Sequence, residues 1–81
     1  MSIKQIVISG KNLVKLLEKI WFEVVRINGS HNRMKHIDGR VTTIPVHKNN
    51  DIPIGLLRKI IKEDLEISIQ DFENLINEEN I

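Results

Sequence analysis

The chain has no cysteine and no tyrosine, and only one tryptophan and two phenylalanines among its 81 residues. Without thiols, disulfides and thiolate metal sites are excluded, which fits a reducing cytoplasm. With so little aromatic surface, the core has to be made of Ile, Leu and Val, and Trp21 and Phe22 are expected as its bulkiest members. No apolar run approaches the roughly 20 residues that span a membrane, and no signal-peptide pattern opens the chain, so a cytoplasmic location is expected. There are four glycines and two prolines, with no glycine-rich phosphate loop and no recognisable Ser-His-Asp set. The three histidines show no metal-binding spacing, so no metal site is expected: His31 and His36 fall on opposite faces of a strand.

What remains is a small, unevenly charged domain. A chain of this size folds as one unit and buries roughly 60% of its unfolded surface. The expected division of residues 1–81 is an arm over 1–8, a core over 9–66 and an acidic helix over 67–81. Net charge is only +1. Between Arg26 and Lys62, however, eight Lys or Arg face two acids, while Glu63 to Ile81 holds seven acids and no base. A basic body suits an anionic partner, and the acidic tail limits non-specific adhesion.

Local patterns give the element order. Ile3, Ile6, Val7 and Ile8 form a short apolar arm or edge strand. Ser9 offers a helix N-cap, and Leu13, Leu16, Leu17 and Ile20 recur at helical spacing, which predicts a helix over about 10–20. Phe22 to Ile27 is rich in β-branched and aromatic residues and leads into the turn signal Asn28-Gly29. His31 to His36 alternates, and Asp38-Gly39 is the strongest hairpin signal. Arg40 to Val46 completes three antiparallel strands, with Pro45 at an edge or an end. A loop over 47–52 precedes Pro53, which suits the first turn of a second helix, where Asp51 can cap or favour the positive end. Leu56, Leu57, Ile60 and Ile61 are its expected buried stripe, and Ser68 to Asp71 caps a third, acidic helix carrying Phe72, Leu75 and Ile76.

The chemistry concentrates at Gly29-Ser30-His31. With Met34 facing the core, alternation sends Asn32 and His36 to the same side and places His31, Arg33 and Lys35 on the open side of the sheet. A titratable imidazole beside two cations is a surface that attracts phosphate. His36, beside the hairpin, is expected to be packed or hydrogen-bonded. His47 lies in a loop, where it either contacts phosphate or serves as plain surface.

These residues resemble a known family. Gly29-Ser30-His31, His36-x-Asp38-Gly39-Arg40, Thr43-Ile44-Pro45-Val46-His47 and Ile52-Pro53-Ile54-Gly55-x-Leu57-Arg58-x-Ile60 are similar, in order and spacing, to the HicA (YcfA-like) toxins. The resemblance runs from Ser9-Gly10-Lys11 to about Phe72. It implies an α+β fold like a double-stranded-RNA-binding domain, α-β-β-β-α, with a three-stranded antiparallel sheet, helices on one face and a short C-terminal helix. It also implies an endoribonuclease that cuts single-stranded mRNA and is held inactive by a HicB antitoxin. The family's catalytic histidine falls on His31. Gly29, Ser30, Arg33, Lys35 and Arg58 are then the expected RNA-binding residues, and no metal or other cofactor is required. Three positions depart from the family pattern. Asn32 stands where a second histidine is common, Ile20-Trp21 where a glycine usually precedes the aromatic residue, and Ile54 where a lysine is frequent.

On this resemblance, His31 takes the proton of a ribose 2′-hydroxyl, which attacks the adjacent phosphorus, while Arg33 and Lys35 hold the phosphate. The general acid is open: Lys35, water or a substrate group would serve. Ser30 is expected to fix the turn by an ST-type hydrogen bond, and Gly29 to supply a turn dihedral or let RNA approach. Two other readings share the fold: a non-catalytic RNA-binding module, and a partner protein whose open sheet is an interaction surface.

Overall fold

The computed structural model describes residues 6–79. Of the arm expected over 1–8 and the helix expected over 67–81, residues 1–5 and 80–81 lie outside the described part. The elements follow in the order α1 (Gly10–Lys19), β1 (Phe22–Asn28), β2 (His31–His36), β3 (Val41–Pro45), α2 (Ile54–Lys59) and α3 (Ile69–Glu79). The three strands form one antiparallel sheet in the order β1-β2-β3, and the α-β-β-β-α frame with a further C-terminal helix is the expected fold.

α1 begins where the Ser9 hydroxyl accepts the Asn12 amide at 3.1 Å, satisfying one of the free donors of the first turn. Leu13, Leu16 and Leu17 recur at helical spacing and are completely buried. They pack on Phe22, Met34 and Ile44, which the alternation of the three strands turns to the same face of the sheet. Leu57, Ile60, Ile61, Leu65 and Phe72 close the core from the C-terminal half. After Lys59 the helix widens into a π-type turn over Ile60–Asp64, in which the Leu65 amide reaches back five residues to the Ile60 carbonyl at 2.8 Å. This turn carries Asp64 to the buried Thr42 hydroxyl, which donates to its carboxylate at 2.8 Å. A polar side chain inside the core is thereby satisfied. Ser68 caps α3 by accepting the Asp71 amide at 3.0 Å, as expected.

Several expectations are corrected. Trp21 is not a core residue: it is 77% exposed and has a φ of +77°. α1 ends at Lys19, and Trp21 occupies the left-handed position just beyond the Ile20 cap, where its amide donates to the Glu18 carbonyl at 3.2 Å. Glycine is the usual occupant of such a position because a Cβ is crowded there. Leu56 is 37% exposed, since the short α2 turns only Leu57 fully inward. Asp51 gives α2 no side-chain cap. Its backbone instead bridges to Ser9, and the Ile52 amide donates to the Ile8 carbonyl at 2.9 Å, tying the segment before α1 to the loop before α2. The turn between β1 and β2 is Gly29-Ser30, one residue later than Asn28-Gly29, because Asn28 still pairs with His31.

One close contact fixes the end of β3. The backbone of Gly10 lies so near the Pro45 carbonyl and Val46 that a Cβ at position 10 would collide with main-chain atoms. Gly10→Ala is therefore expected to cost more than about 2 kcal/mol and to lower the thermal midpoint by roughly 10 °C or more. Gly55→Ala, in α2 with open space around it, should be neutral or slightly stabilising. Equal midpoints for the two variants would contradict the packing described. Trp21→Gly should raise the midpoint by roughly 4 °C, because relief of the left-handed strain, about 1–2 kcal/mol, exceeds the added chain entropy of glycine. A lowered midpoint would mean that the exposed indole makes stabilising contacts.

Candidate functional site

β2 lies between its two neighbours, so its open-face side chains are flanked on both sides. His31 opens the strand opposite Asn28 of β1 and Pro45 of β3, and it is exposed. Arg33 follows opposite Arg26 and Thr43, and Lys35 opposite Glu23 and Val41. Met34 is buried between them on the other face, with Asn32 and His36 partly covered. Arg26, Asn28, His31, Arg33 and Thr43 line an open hollow on the solvent side of the sheet.

Arg26 and Asn28 reach that hollow through a break in the ladder. Phe22 and Val24 of β1 face the core opposite His36 and Met34, and strict alternation would send Arg26 and Asn28 the same way. The register shifts between Val24 and Arg26, however, leaving Val25 as an extra residue. Such a bulge inverts the faces beyond it, so Arg26 pairs with Arg33 and Asn28 with His31. Sequence reading missed both lining residues for this reason. A detectable signal was the tandem Val24-Val25 followed by an arginine where the core face should have continued. Correct placement of the turn at Gly29-Ser30 would also have set Arg26 opposite Arg33.

The electrostatics favour this end of the sheet. Two arginines directly across an antiparallel pair repel each other, with Cβ atoms about 5 Å apart. Among the described residues neither has an ion-pair partner within 4 Å. Lys35 sits opposite Glu23 in the register, an acid rather than a second cation. At the far end, Arg40 is committed elsewhere. Its Nε donates to Asp38 at 2.8 Å, its guanidinium donates to the Leu65 carbonyl, and it lies 5.3 Å over the Phe22 ring. The amide of Arg40, and then its guanidinium, hold the Asp38 carboxyl below its ordinary pKa. His36 stacks edge-on against Phe22 and accepts the Asp38 amide at Nδ1, the packed role expected of it. A larger open groove along the outer edge of β1, lined by Glu18, Trp21, Val25, Lys35 and Ile37, has no cluster of unpaired cations.

The remaining expected site residues are distributed as follows. Gly29 adopts the left-handed φ of +62° that the tight turn requires. Ser30 makes no hydrogen bond within its turn. Its hydroxyl lies 3.2 Å from Nε2 of His47, and its carbonyl accepts the Val46 amide at 2.7 Å. Arg58 is exposed on α2 and does not line the hollow around His31. No three His, Cys, Asp or Glu side chains group as a metal-binding set among the described residues.

A protein-family model described as HicA toxin of bacterial toxin-antitoxin matches residues 10–64, more than half of the chain. The chain belongs to the HicA toxin family. The matched span runs from the start of α1 to the end of the π-type turn and contains the whole sheet. Membership brings an antitoxin partner with it, since the family is one half of a toxin-antitoxin pair. No curated protein matches the chain. No helix among the described residues is long and apolar enough to cross a membrane.

If the hollow receives a phosphate, Arg26→Ala should weaken binding of single-stranded RNA several-fold. It should also flatten the dependence of log affinity on log salt by about 0.7, the value for one lost phosphate contact. Lys62→Ala, on the helical side, should change neither. Fluorescence anisotropy over a salt series checks this, and an unchanged slope for Arg26→Ala would remove the arginine pair from the interface.

Proposed function

We propose that this HicA-family chain is a metal-independent endoribonuclease of the cytoplasm, cutting single-stranded mRNA until a HicB-type antitoxin covers it. The reading rests on one observation above others: an exposed imidazole, His31, at the rim of a hollow that also presents two facing, unpaired arginines. Such a like-charged pair is unfavourable in the free protein and becomes favourable when an anion lies between the guanidiniums. A backbone phosphate fits that requirement, and its ribose then lies beside His31.

In the proposed reaction the neutral His31 imidazole accepts the proton of a 2′-hydroxyl. The 2′ oxygen attacks the adjacent phosphorus, the bond to the 5′ oxygen breaks, and a 2′,3′-cyclic phosphate and a 5′-hydroxyl result. Arg33 and Arg26 stabilise the charge gathering on the phosphoryl oxygens. Gly29 and Ser30 border the reacting nucleotide. Lys35 and Arg58 extend the positive surface to flanking phosphates from the sheet and from α2. An antitoxin that occupies the open face blocks the groups carried by the sheet at once.

Purified protein incubated with single-stranded RNA in EDTA should yield fragments ending in cyclic phosphate, and His31→Ala should slow cleavage by roughly 10²- to 10⁴-fold while retaining binding. Expression of the unaltered chain should arrest growth, and the same substitution should relieve it. Equal RNA binding by both proteins without cleavage would make the chain a non-catalytic RNA-binding module.

A further inference from the structure

A base alone leaves the departing 5′ oxygen without a proton. The fold brings a second imidazole to the same end of the sheet. The β2–β3 register sets His31 opposite Pro45, and the Val46 amide extends the pairing by donating to the Ser30 carbonyl. One residue further, His47 follows in the loop beyond β3, and its Nε2 lies 3.2 Å from the Ser30 hydroxyl. The Asn50 amide donates to the His47 carbonyl at 2.9 Å and steadies the loop that carries it. Ser30 is the residue immediately before His31, with Cα atoms about 3.8 Å apart. The hollow spans the three strands, from Arg26 and Asn28 of β1 through His31 and Arg33 to Thr43 of β3, while the Ser30–His47 contact lies at the turn and past the end of β3. His31 stands between them. A phosphodiester held by Arg26 and Arg33 over His31 lies at the same end of the sheet as the Ser30 hydroxyl, which stands outside the lining of the hollow itself.

We infer that Ser30 and His47 form the proton-donating half of the site, His47 holding the proton and Ser30 passing it to the leaving oxygen. This rests on the ribonuclease reading above. The step balances. As the bond from phosphorus to the 5′ oxygen breaks, that oxygen takes the hydroxyl proton of Ser30, and Ser30 recovers one from protonated His47 Nε2. His31 ends protonated and His47 neutral, and exchange with water restores both. Ser30 touches the reacting atoms, and His47 acts through it.

The test compares two RNA substrates carrying one cleavable ribonucleotide at the position mapped with the unaltered protein. One is ordinary, and in the other sulfur replaces the bridging 5′ oxygen. A thiolate departs without being protonated, so loss of the proton donor is masked only in the second. His47→Ala and Ser30→Ala should each cut the ordinary RNA at least about 10²-fold more slowly, yet cut the sulfur substrate within about 10-fold of the unaltered protein. His31→Ala should be slow on both. His47→Asn, which keeps a hydrogen-bonding group beside Ser30, should behave like His47→Ala, and circular dichroism establishes that it is folded. A folded His47 variant slowed equally on both substrates, or slowed on neither, overturns the inference. Recovery by His31→Ala in place of His47→Ala overturns the assignment of roles, and recovery of His47→Ala without Ser30→Ala overturns the relay. If the unaltered protein cuts neither substrate, it is the ribonuclease reading itself that fails.

Discussion

β1 has to satisfy two incompatible demands, and a single extra residue reconciles them. Its first half must turn Phe22 and Val24 toward α1, because these side chains pack against Met34 and the buried leucines of the helix. Its second half presents Arg26 and Asn28 to solvent beside His31. Both sets are even-numbered, and a regular strand cannot point them to opposite faces. Val25 supplies the missing step. The bulge leaves it half-exposed and interrupts the ladder, yet the core stays closed and the hollow gains both of its β1 residues. The β1–β2 turn follows from the same register: with Asn28 opposite His31, only Gly29 and Ser30 remain to reverse the chain, and Gly29 takes the positive φ.

Much of this architecture was legible in the sequence because the strongest signals were periodic or local. Leucines at helical spacing located α1, alternation about Met34 separated the faces of β2, and the serines at 9 and 68 marked two helix starts by the hydrogen bonds they make. The errors came where a tertiary constraint overrode the local rule. Size and apolarity point Trp21 to the core, but the chain leaves α1 through a left-handed residue, and that geometry throws the indole outward. The position of Asp51 before Pro53 suits a cap or a charge favouring the helix start, whereas its side chain makes no cap and its backbone is engaged with Ser9. Arg26 was invisible as a site residue because a bulge has no firm sequence signature, and alternation is the rule it breaks. The contact between Ser30 and His47 links residues seventeen positions apart, so no local pattern could announce it.

The distribution of charge follows the division of labour along the sheet. At the hairpin end, Arg40 is tied to Asp38, to the Leu65 carbonyl and to the face of Phe22, so its charge holds the fold together. Along the helical layer, Lys19 of α1 meets Glu79 of α3 at 3.4 Å, an exposed pair of small energetic consequence that still brings an acid of the tail beside a base of the body. Lys35 faces Glu23. Among the described residues Arg26 and Arg33 stand out as two strand cations set directly against each other, with no ion-pair partner. Net charge near zero for the whole chain therefore conceals a concentrated positive field at the His31 end.

That concentration also bears on Asn32, the next residue after His31. Position 32 belongs to the core-facing side of β2, paired with Ile27 and Ile44, whereas His31 points to the opposite, solvent side. A side chain at 32 is separated from the hollow around His31 by the sheet itself, so asparagine there removes nothing from the open face. An imidazole able to share one phosphate with His31 has to come from a neighbouring strand rather than from the next residue. The chain leaving β3 brings such an imidazole, because Val46 still pairs with Ser30 and His47 then reaches the Ser30 hydroxyl at the turn that precedes His31. The pairing of strands, and not adjacency in the chain, sets which two histidines can act together.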